Sequence, residues 1–293
     1  MKKGSQVLIL LIAFIFASCE KEEKPLVLPP KDDAVKMGSA IMGEHYTTQV
    51  FVNLSTGQQW AVDNNAWDIQ FESSADGYLV TMNGGKGVLI GNCGTKVFKD
   101  IGSHNITMKW DRSSGMKDSL VLGNWANSQR KTYDSIFLID RGISEPERFF
   151  QFRISSVDAY KYKLTVSDFD GNHIRLVTIP KDPTRQHVYF SFALGGKILN
   201  PEPPKEDWHL CFLRYRWVYY EFVPPLLYTV VGIHINNNLV RVAVDSTLKF
   251  SEIKKVSLSS MSFRDTRDVM GYDWKVPVFS GTTVKYVCRK YVN

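Results

Sequence analysis

Trp67-Asp68-Ile69-Gln70-Phe71 and Trp208-His209-Leu210-Cys211-Phe212 carry the same alternation at two places in the chain. In the first, Trp67, Ile69 and Phe71 alternate with Asp68 and Gln70, so the bulky residues share one face of a period-two segment. The second keeps Trp208, Leu210 and Phe212 on one face and puts His209 and Cys211 on the other. Each reads as a strand with one side buried, and the recurrence prompts a search for further matches. Val50-Phe51-Val52-Asn53-Leu54-Ser55-Thr56-Gly57 resembles Val188-Tyr189-Phe190-Ser191-Phe192-Ala193-Leu194-Gly195. Gly87-Val88-Leu89-Ile90-Gly91-Asn92 matches Gly232-Ile233-His234-Ile235-Asn236-Asn237, and Phe98-Lys99-Asp100-Ile101 matches Phe250-Ser251-Glu252-Ile253. Leu122-Gly123-Asn124-Trp125 answers Met270-Gly271-Tyr272-Asp273-Trp274. Order is kept while the offset stays between 138 and 152, as in a duplicated unit.

Between the copies, Phe149-Phe150-Gln151-Phe152-Arg153-Ile154 and Tyr160-Lys161-Tyr162-Lys163-Leu164-Thr165-Val166 read as strands joined by a turn at Asp158-Ala159. Asp170-Gly171-Asn172 marks another turn before residues 174–179. Long helical periodicity is absent, and only 58–66 and 259–269 read as short helices or loops. The expected fold is all-β, antiparallel and sandwich-like, with two related lobes sharing the central hairpins. The first lobe spans 37–182. The second, 183–293, is truncated, because Tyr286–Val292 answers Ser135–Ile139 and nothing beyond it mirrors 149–166.

A chain of 293 residues with 44% hydrophobic and 23% charged residues can bury a core without disulfides or metal. Thirteen per cent aromatics lean toward strands, and collagen, coiled-coil and polytopic membrane classes are excluded.

The N-terminus reads as an address. Lys2 and Lys3 precede an unbroken apolar run, Val7 to Phe16. Ten helical residues rise only about 15 Å, too short to span a bilayer, so the run fits the core of a secretory signal. Ala17-Ser18-Cys19 then resembles a lipobox, with residues 1–18 as signal peptide and Cys19 as the lipidated residue. The alternative is a plain signal peptide with an incidental cysteine. Residues 19–36 form a tether: acidic-rich Glu20–Lys24, then a stretch holding Pro25, Pro29 and Pro30. Loss of residues 1–18 removes two lysines and no acid, which lowers the net charge from +6 to +4. That charge is too small and too evenly spread to indicate nucleic acid as a partner. Cys93, Cys211 and Cys288 form at most one disulfide and have no zinc or CxxC spacing; buried thiols acting as small apolar residues are the expected state, with any pairing left open.

Taken together, these blocks resemble the HmuY-like family of bacterial surface lipoproteins. The resemblance rests on the strand at Val50–Gly57, Trp67-Asp68-Ile69, Gly84-Gly85-Lys86-Gly87, Phe137-Leu138-Ile139 and Phe150-Gln151-Phe152. In the second copy it rests on Glu202-Pro203-Pro204 leading to Trp208, on Phe212-Leu213-Arg214-Tyr215 and on Gly271-Tyr272-Asp273-Trp274-Lys275, and it covers about residues 45–293. It implies a non-enzymatic protein, anchored by lipid in the outer membrane and facing the cell surface, that captures haem or another small ligand for an outer-membrane transporter. The founding haem site uses two histidines between the glycine-rich turn and the late strand, with methionine replacing histidine in some relatives. Here that interval holds His104, Met108 and Met116, so His104 and Met108 are the candidate haem ligands; Ala126 to Lys131, where a second ligand is expected, has neither residue.

Other readings of the same residues stand beside this one. His104 with Met108 also fits an exposed loop histidine and a core methionine. His234 points away from the face of Ile233 and Ile235, as a half-exposed strand histidine does. The glycine-rich 83–87 lacks phosphate-loop spacing and reads as a hairpin turn. Tyr215, Trp217 and Tyr219 form a stripe opposite Arg214 and Arg216, able to stack on sugar or porphyrin or to pack between the lobes. A carbohydrate- or protein-binding module without haem activity is therefore the alternative function. No GxSxG, HExxH or paired His/Cys constellation supports catalysis.

Overall fold

The computed structural model describes residues 38–101, 106–245, 247–249, 252–272 and 285–290. The signal segment, Cys19, the tether, His104 and Trp274 lie outside these residues.

The first half supplies β1 (Thr48–Val52), β2 (Gln59–Asp63), β3 (Ile69–Glu72), β4 (Val80–Met82), β5 (Leu89–Asn92) and β6 (Phe137–Asp140). Three longer strands follow: β7 (Phe149–Val157), β8 (Lys161–Asp168) and β9 (Arg175–Pro180). The second half supplies β10 (His187–Ser191), β11 (Lys197–Leu199), β12 (Leu210–Tyr219), β13 (Leu226–Ile235), β14 (Val240–Asp245) and β15 (Lys285–Lys290). All pairings are antiparallel, so the expected all-β, sandwich-like class is what forms. Segment 58–66, read as a short helix or loop, instead contains β2, because Trp60 and Val62 alternate with exposed neighbours and pair with β1.

The two sets of strands are interleaved. One four-stranded sheet runs β13-β12-β1-β2 and the other β4-β3-β10-β11. In the first, Val50, Phe51 and Val52 face Phe212, Cys211 and Leu210. In the second, Val188, Tyr189 and Phe190 face Phe71, Gln70 and Ile69. Given the match of Phe51 with Tyr189 and of Trp67 with Trp208, these are the same three pairs with the halves interchanged. Each half thus lends its first strand to the other half's sheet. The exchange joins the two halves, and Ala40–Asn293 cluster as one compact unit across the 182/183 boundary. The central hairpins β7-β8-β9 extend a separate five-stranded sheet, β5-β6-β7-β8-β9, drawn wholly from the first half. The β14–β15 pair is the counterpart of β5–β6, and Val242–Arg264 repeats the isolated bridge Ile90–Lys109.

One expected match shifts. Ile69 and Phe71 face Met82 and Val80, while Leu210 and Phe212 face Ile235 and Ile233. Gly232–Asn237 therefore corresponds to residues 79–84 and not to Gly87–Asn92. Both stretches pair glycine with β-branched residues, and only the strand register tells them apart.

One face of the β4-β3-β10-β11 sheet (Ile69, Phe71, Val80, Val188, Phe190) packs on Ile139, Phe152, Ile154 and Leu164 of the five-stranded sheet, with Trp125 and Phe192 between. A smaller core joins Leu210, Ile233 and Ile235 to Val240, Val242, Val269 and Met270. The expected turns are present: Asp158 Oδ1 accepts from Tyr160 N and Lys161 N at 2.7 and 2.9 Å, and Gly171 sits at φ +84°.

Candidate functional site

The faces of the two four-stranded sheets not used in these cores line one cavity of about 500 Å³. Its walls pair equivalent positions: Phe51 with Tyr189, Gln49 with His187, Gln70 with Cys211, Thr81 with His234, Trp67 with Trp208. The indoles brace the exchanged strands edge-to-face, Trp208 on Phe51 and Trp67 on Tyr189, each at 5.0 Å between ring centroids. Glutamine, threonine and histidine at inward strand positions are what a solvated sheet face would carry, yet here the two polar faces are turned on each other.

Seven buried polar atoms of this lining find no hydrogen-bond partner among the described residues: Gln49 Oε1, Thr81 Oγ1, Trp67 Nε1, Trp208 Nε1, Arg214 Nε, Arg216 Nε and His234 Nε2. Gln49, Thr81, Trp67 and Trp208 are each less than 10% exposed, at 2%, 6%, 6% and 4%. Such groups each cost about 1–3 kcal/mol when unpaired, so both walls of the cavity carry polar atoms that the protein itself leaves unsatisfied.

The charged groups are mostly committed. Glu202 accepts from the Tyr189 hydroxyl at 2.9 Å and from Gln186 N at 2.9 Å, and lies 3.1 Å from His187 Nδ1. Asp111 accepts from Met82 N and Val121 N at 2.8 and 2.7 Å, but burial outweighs these amides and raises its pKa to about 6. Arg267 Nε donates to Ser113 O at 2.7 Å, with Asp111 and Asp268 opposing the burial that lowers its pKa. Burial, reinforced by Arg267, holds the His234 imidazole well below its ordinary pKa and hence neutral. Burial also pushes the Cys211 thiol well above its ordinary pKa, which keeps it a thiol and a poor nucleophile. Cys93 is likewise free and raised to about 11 by burial. The Cys288 side chain lies outside what is described.

The sequence-derived candidates separate. Tyr215 is buried, lines the cavity and packs on His234 at 4.7 Å. Trp217 and Tyr219 lie outside the lining, clustered with Tyr272 toward the end of the β12–β13 hairpin. Met108 is half-buried, faces Gly91 and is not part of the cavity, while its proposed partner His104 is outside the described residues. The glycine-rich segment is the expected turn. A Cβ on Gly85 would come within 2.3 Å of Arg214 O, so the turn packs directly on β12. Sequence reading missed Gln49, Gln70, Thr81, Tyr189, Glu202 and Arg267. The available signal was the polar alternate position recurring in both copies, which alone also fits a solvent-facing strand.

Outside the cavity, Asp68 is fully buried and neutralised by Lys86 Nζ at 2.6 Å and Arg141 Nε at 2.8 Å, with Glu145 bridging both cations. This network is structural. Among the described residues no group of three or more His, Cys, Asp or Glu side chains is placed to hold a metal ion. Comparison with protein-family models, with curated proteins and with solved structures finds no significant match to this chain.

Proposed function

We propose that this chain is a lipid-anchored surface protein that binds a small polar ligand between its two four-stranded sheets, without catalysis. The observation that carries the reading is one cavity of about 500 Å³ walled from both sheets by polar side chains, among them Gln49, Gln70, Thr81, His187 and His234, within the size range of small-molecule sites, roughly 300–1,000 Å³. The signal-like run ending at Ala17-Ser18-Cys19 supports the anchor, the acidic-rich Glu20–Lys24 supports export to the cell surface, and an outer-membrane location with delivery to a transporter rests on the HmuY-like resemblance alone. The HmuY-like assignment rests on the order of the repeated blocks. Of the small ligands such a protein captures, a polar one suits these walls better than haem, because Met108 is not among the lining residues.

Thermal-shift screening of pooled sugars, organic acids and haemin tests the cavity. At least one pool should raise the melting temperature of the wild type, and Thr81→Trp, which fills the wall, should abolish the shift. A flat response to every pool rejects the reading. Labelling of expressing cells with radioactive palmitate, lost in Cys19→Ala, tests the anchor.

A second reading, a protein- or glycan-binding module acting through the β12–β13 tip, is favoured by the exposure there of Tyr220, Phe222, Val223 and Tyr228. Its test is retention on a glycan array or by a partner, lost when Phe222 and Tyr228 become serine.

A further inference from the structure

We infer that the β12–β13 tip seats in the lipid surface on which the chain is anchored; this rests on the anchor proposed above. β1 pairs with β12 only along Leu210–Phe212, while β13 follows β12 as far as Tyr219, so the outer hairpin continues past the four-stranded sheet as a two-stranded ribbon. Its base is braced by Tyr272, which packs on Trp217 at 5.4 Å and on Tyr219 at 6.4 Å between ring centroids. Residues 220–226 are exposed without a break, Val223 at 98%. Glu221 is the single charge from Trp217 to Val230, so Phe222, Val223, Pro224, Pro225 and Leu226 make a contiguous apolar apex. An apex entering lipid must not carry unpaired backbone donors, and Pro224 and Pro225 have no N–H to bring. Tyr219 stands opposite Leu226 and Trp217 opposite Tyr228, which sets Tyr228 two strand positions, about 7 Å, behind the apex. With the apex buried about 5–10 Å, Tyr228 falls in the headgroup layer, where amphipathic rings concentrate. Exposed Arg112 stacks on the Tyr220 ring at 5.0 Å and offers lipid phosphate a cation that offsets Glu221.

Strand register puts the tether at the same end. β1 runs antiparallel to β12, with Val52 facing Leu210 and Val50 facing Phe212, so its beginning at Thr48 points toward the tip. Just before it, His45 O lies 3.5 Å from Arg214 Nη1, two residues further along β12 than Phe212. The chain therefore enters this body from the end that carries the tip. Residues 20–37, between Cys19 and Gly38, have a covalent length of at most about 65 Å. From Arg214 to Tyr219 the ribbon advances only about 17 Å, well inside that reach. A lipid on Cys19 thus holds the tip near the same surface, at an effective concentration that lets a modest apolar contact persist.

The test has two arms, both with vesicles of phosphatidylethanolamine and phosphatidylglycerol. In the first, the mature chain carrying Cys19→Ser, and so no lipid, is floated with the vesicles. It should co-float, and the combination Phe222→Ser, Val223→Ser and Leu226→Ser should lower its partition coefficient about tenfold or more. Those three side chains are exposed, so the urea midpoint should stay that of the parent. Raising salt from 0.1 to 0.5 M should change the partition by less than about twofold, because the contact is apolar. In the second arm, the lipidated chain is reconstituted with an environment-sensitive fluorophore on Val223→Cys, read against the identically treated parent. Its emission should shift to the blue and be quenched by nitroxide lipids. Absence of flotation, flotation indifferent to the three serines, a collapse of binding in salt, or a label that stays in water on vesicle-bound chain would each overturn the proposal. Retention on a glycan array or by a protein partner, lost with the three serines while vesicles are ignored, would assign the tip to that partner instead. If palmitate labelling fails while the unlipidated chain still floats, the anchor reading falls and the lipid contact of the tip stands.

Discussion

Asn83 and Asn236 hold equivalent corners of the two strand sets with the same hydrogen bonds. Asn83 Nδ2 donates to Asn64 O at 2.6 Å and Trp67 O at 3.0 Å; Asn236 Nδ2 donates to Lys205 O at 2.7 Å and Trp208 O at 2.8 Å. Their backbone N–H groups donate to Asp68 O and His209 O, both at 2.8 Å. Each amide ties the turn after the second hairpin strand to the segment that places the cavity tryptophan.

Alanine at either position strands two buried carbonyls and removes the turn's side-chain acceptor. Asn83→Ala and Asn236→Ala should each lower the unfolding free energy by about 2–4 kcal/mol, measured by urea denaturation with an unchanged m-value. A loss below about 0.5 kcal/mol at either site would remove the equivalence as a structural device.

Asp68 and His209 share another equivalent position, yet they differ in charge. Asp68 Oδ2 accepts from Phe192 N at 2.7 Å, as His209 Nδ1 accepts from Leu54 N at 2.8 Å. Asp68→Ala leaves Lys86 and Arg141 buried with only Glu145 between them, and should cost about 3–5 kcal/mol. His209→Ala, which breaks a neutral bond, should cost about 1–3 kcal/mol. Equal losses would show that the ion network contributes nothing beyond the shared backbone contact.

Gly85 admits no side chain, because a Cβ would meet Arg214 O at 2.3 Å and Asn64 Nδ2 at 2.6 Å. Gly85→Ala should destabilise by about 1–3 kcal/mol. Gly57→Ala is the control, since open space surrounds its Cβ and only its φ of +78° opposes the change.

Two cavity groups give opposite pH signatures. Asp111 has a folded pKa of about 6, above its unfolded value of 3.8, so the folded state binds the extra proton and stability falls as pH rises through that window. His234 has a folded pKa well below 6.5, so stability falls as pH drops below 6.5. In chemical denaturation between pH 4 and 7, Asp111→Asn should lose the first dependence, about 2–3 kcal/mol across the window. His234→Gln should lose the second. An unchanged pH profile in Asp111→Asn would show that its carboxyl ionises freely.

The buried stripe residue Tyr215 and the exposed β13 residue Tyr228 should differ energetically. Tyr215 is 4% exposed and packed on His234, so Tyr215→Ala should cost about 3–5 kcal/mol. Tyr228, at 57% exposure near the hairpin end, should lose less than about 0.5 kcal/mol on the same change. Comparable losses would mean the tip is packed in solution.

Local pattern carried far in this chain. Alternation in Trp67–Phe71 and Trp208–Phe212, the turns at Asp158 and Asp170-Gly171-Asn172, and the repeated order of blocks all follow from side-chain period and turn chemistry, which act over a few residues. The register of Gly232–Asn237 did not follow, because glycine next to isoleucine reads alike in two frames and only the partner strand chooses between them.

Strand class, turn positions and the matched halves were thus determined by sequence, since each depends on neighbours within about ten residues. Which half pairs with which was decided only in three dimensions. Val50 to Val52 suit the strand beginning at Ile69 as well as the one beginning at Leu210, and the chain folds with the second choice. That exchange turns two polar strand faces toward each other and brings Gln49, Thr81, Trp67, Trp208 and Arg267 to one cavity. Residues up to 218 positions apart become neighbours there through long-range burial and hydrogen bonding, which no local pattern encodes.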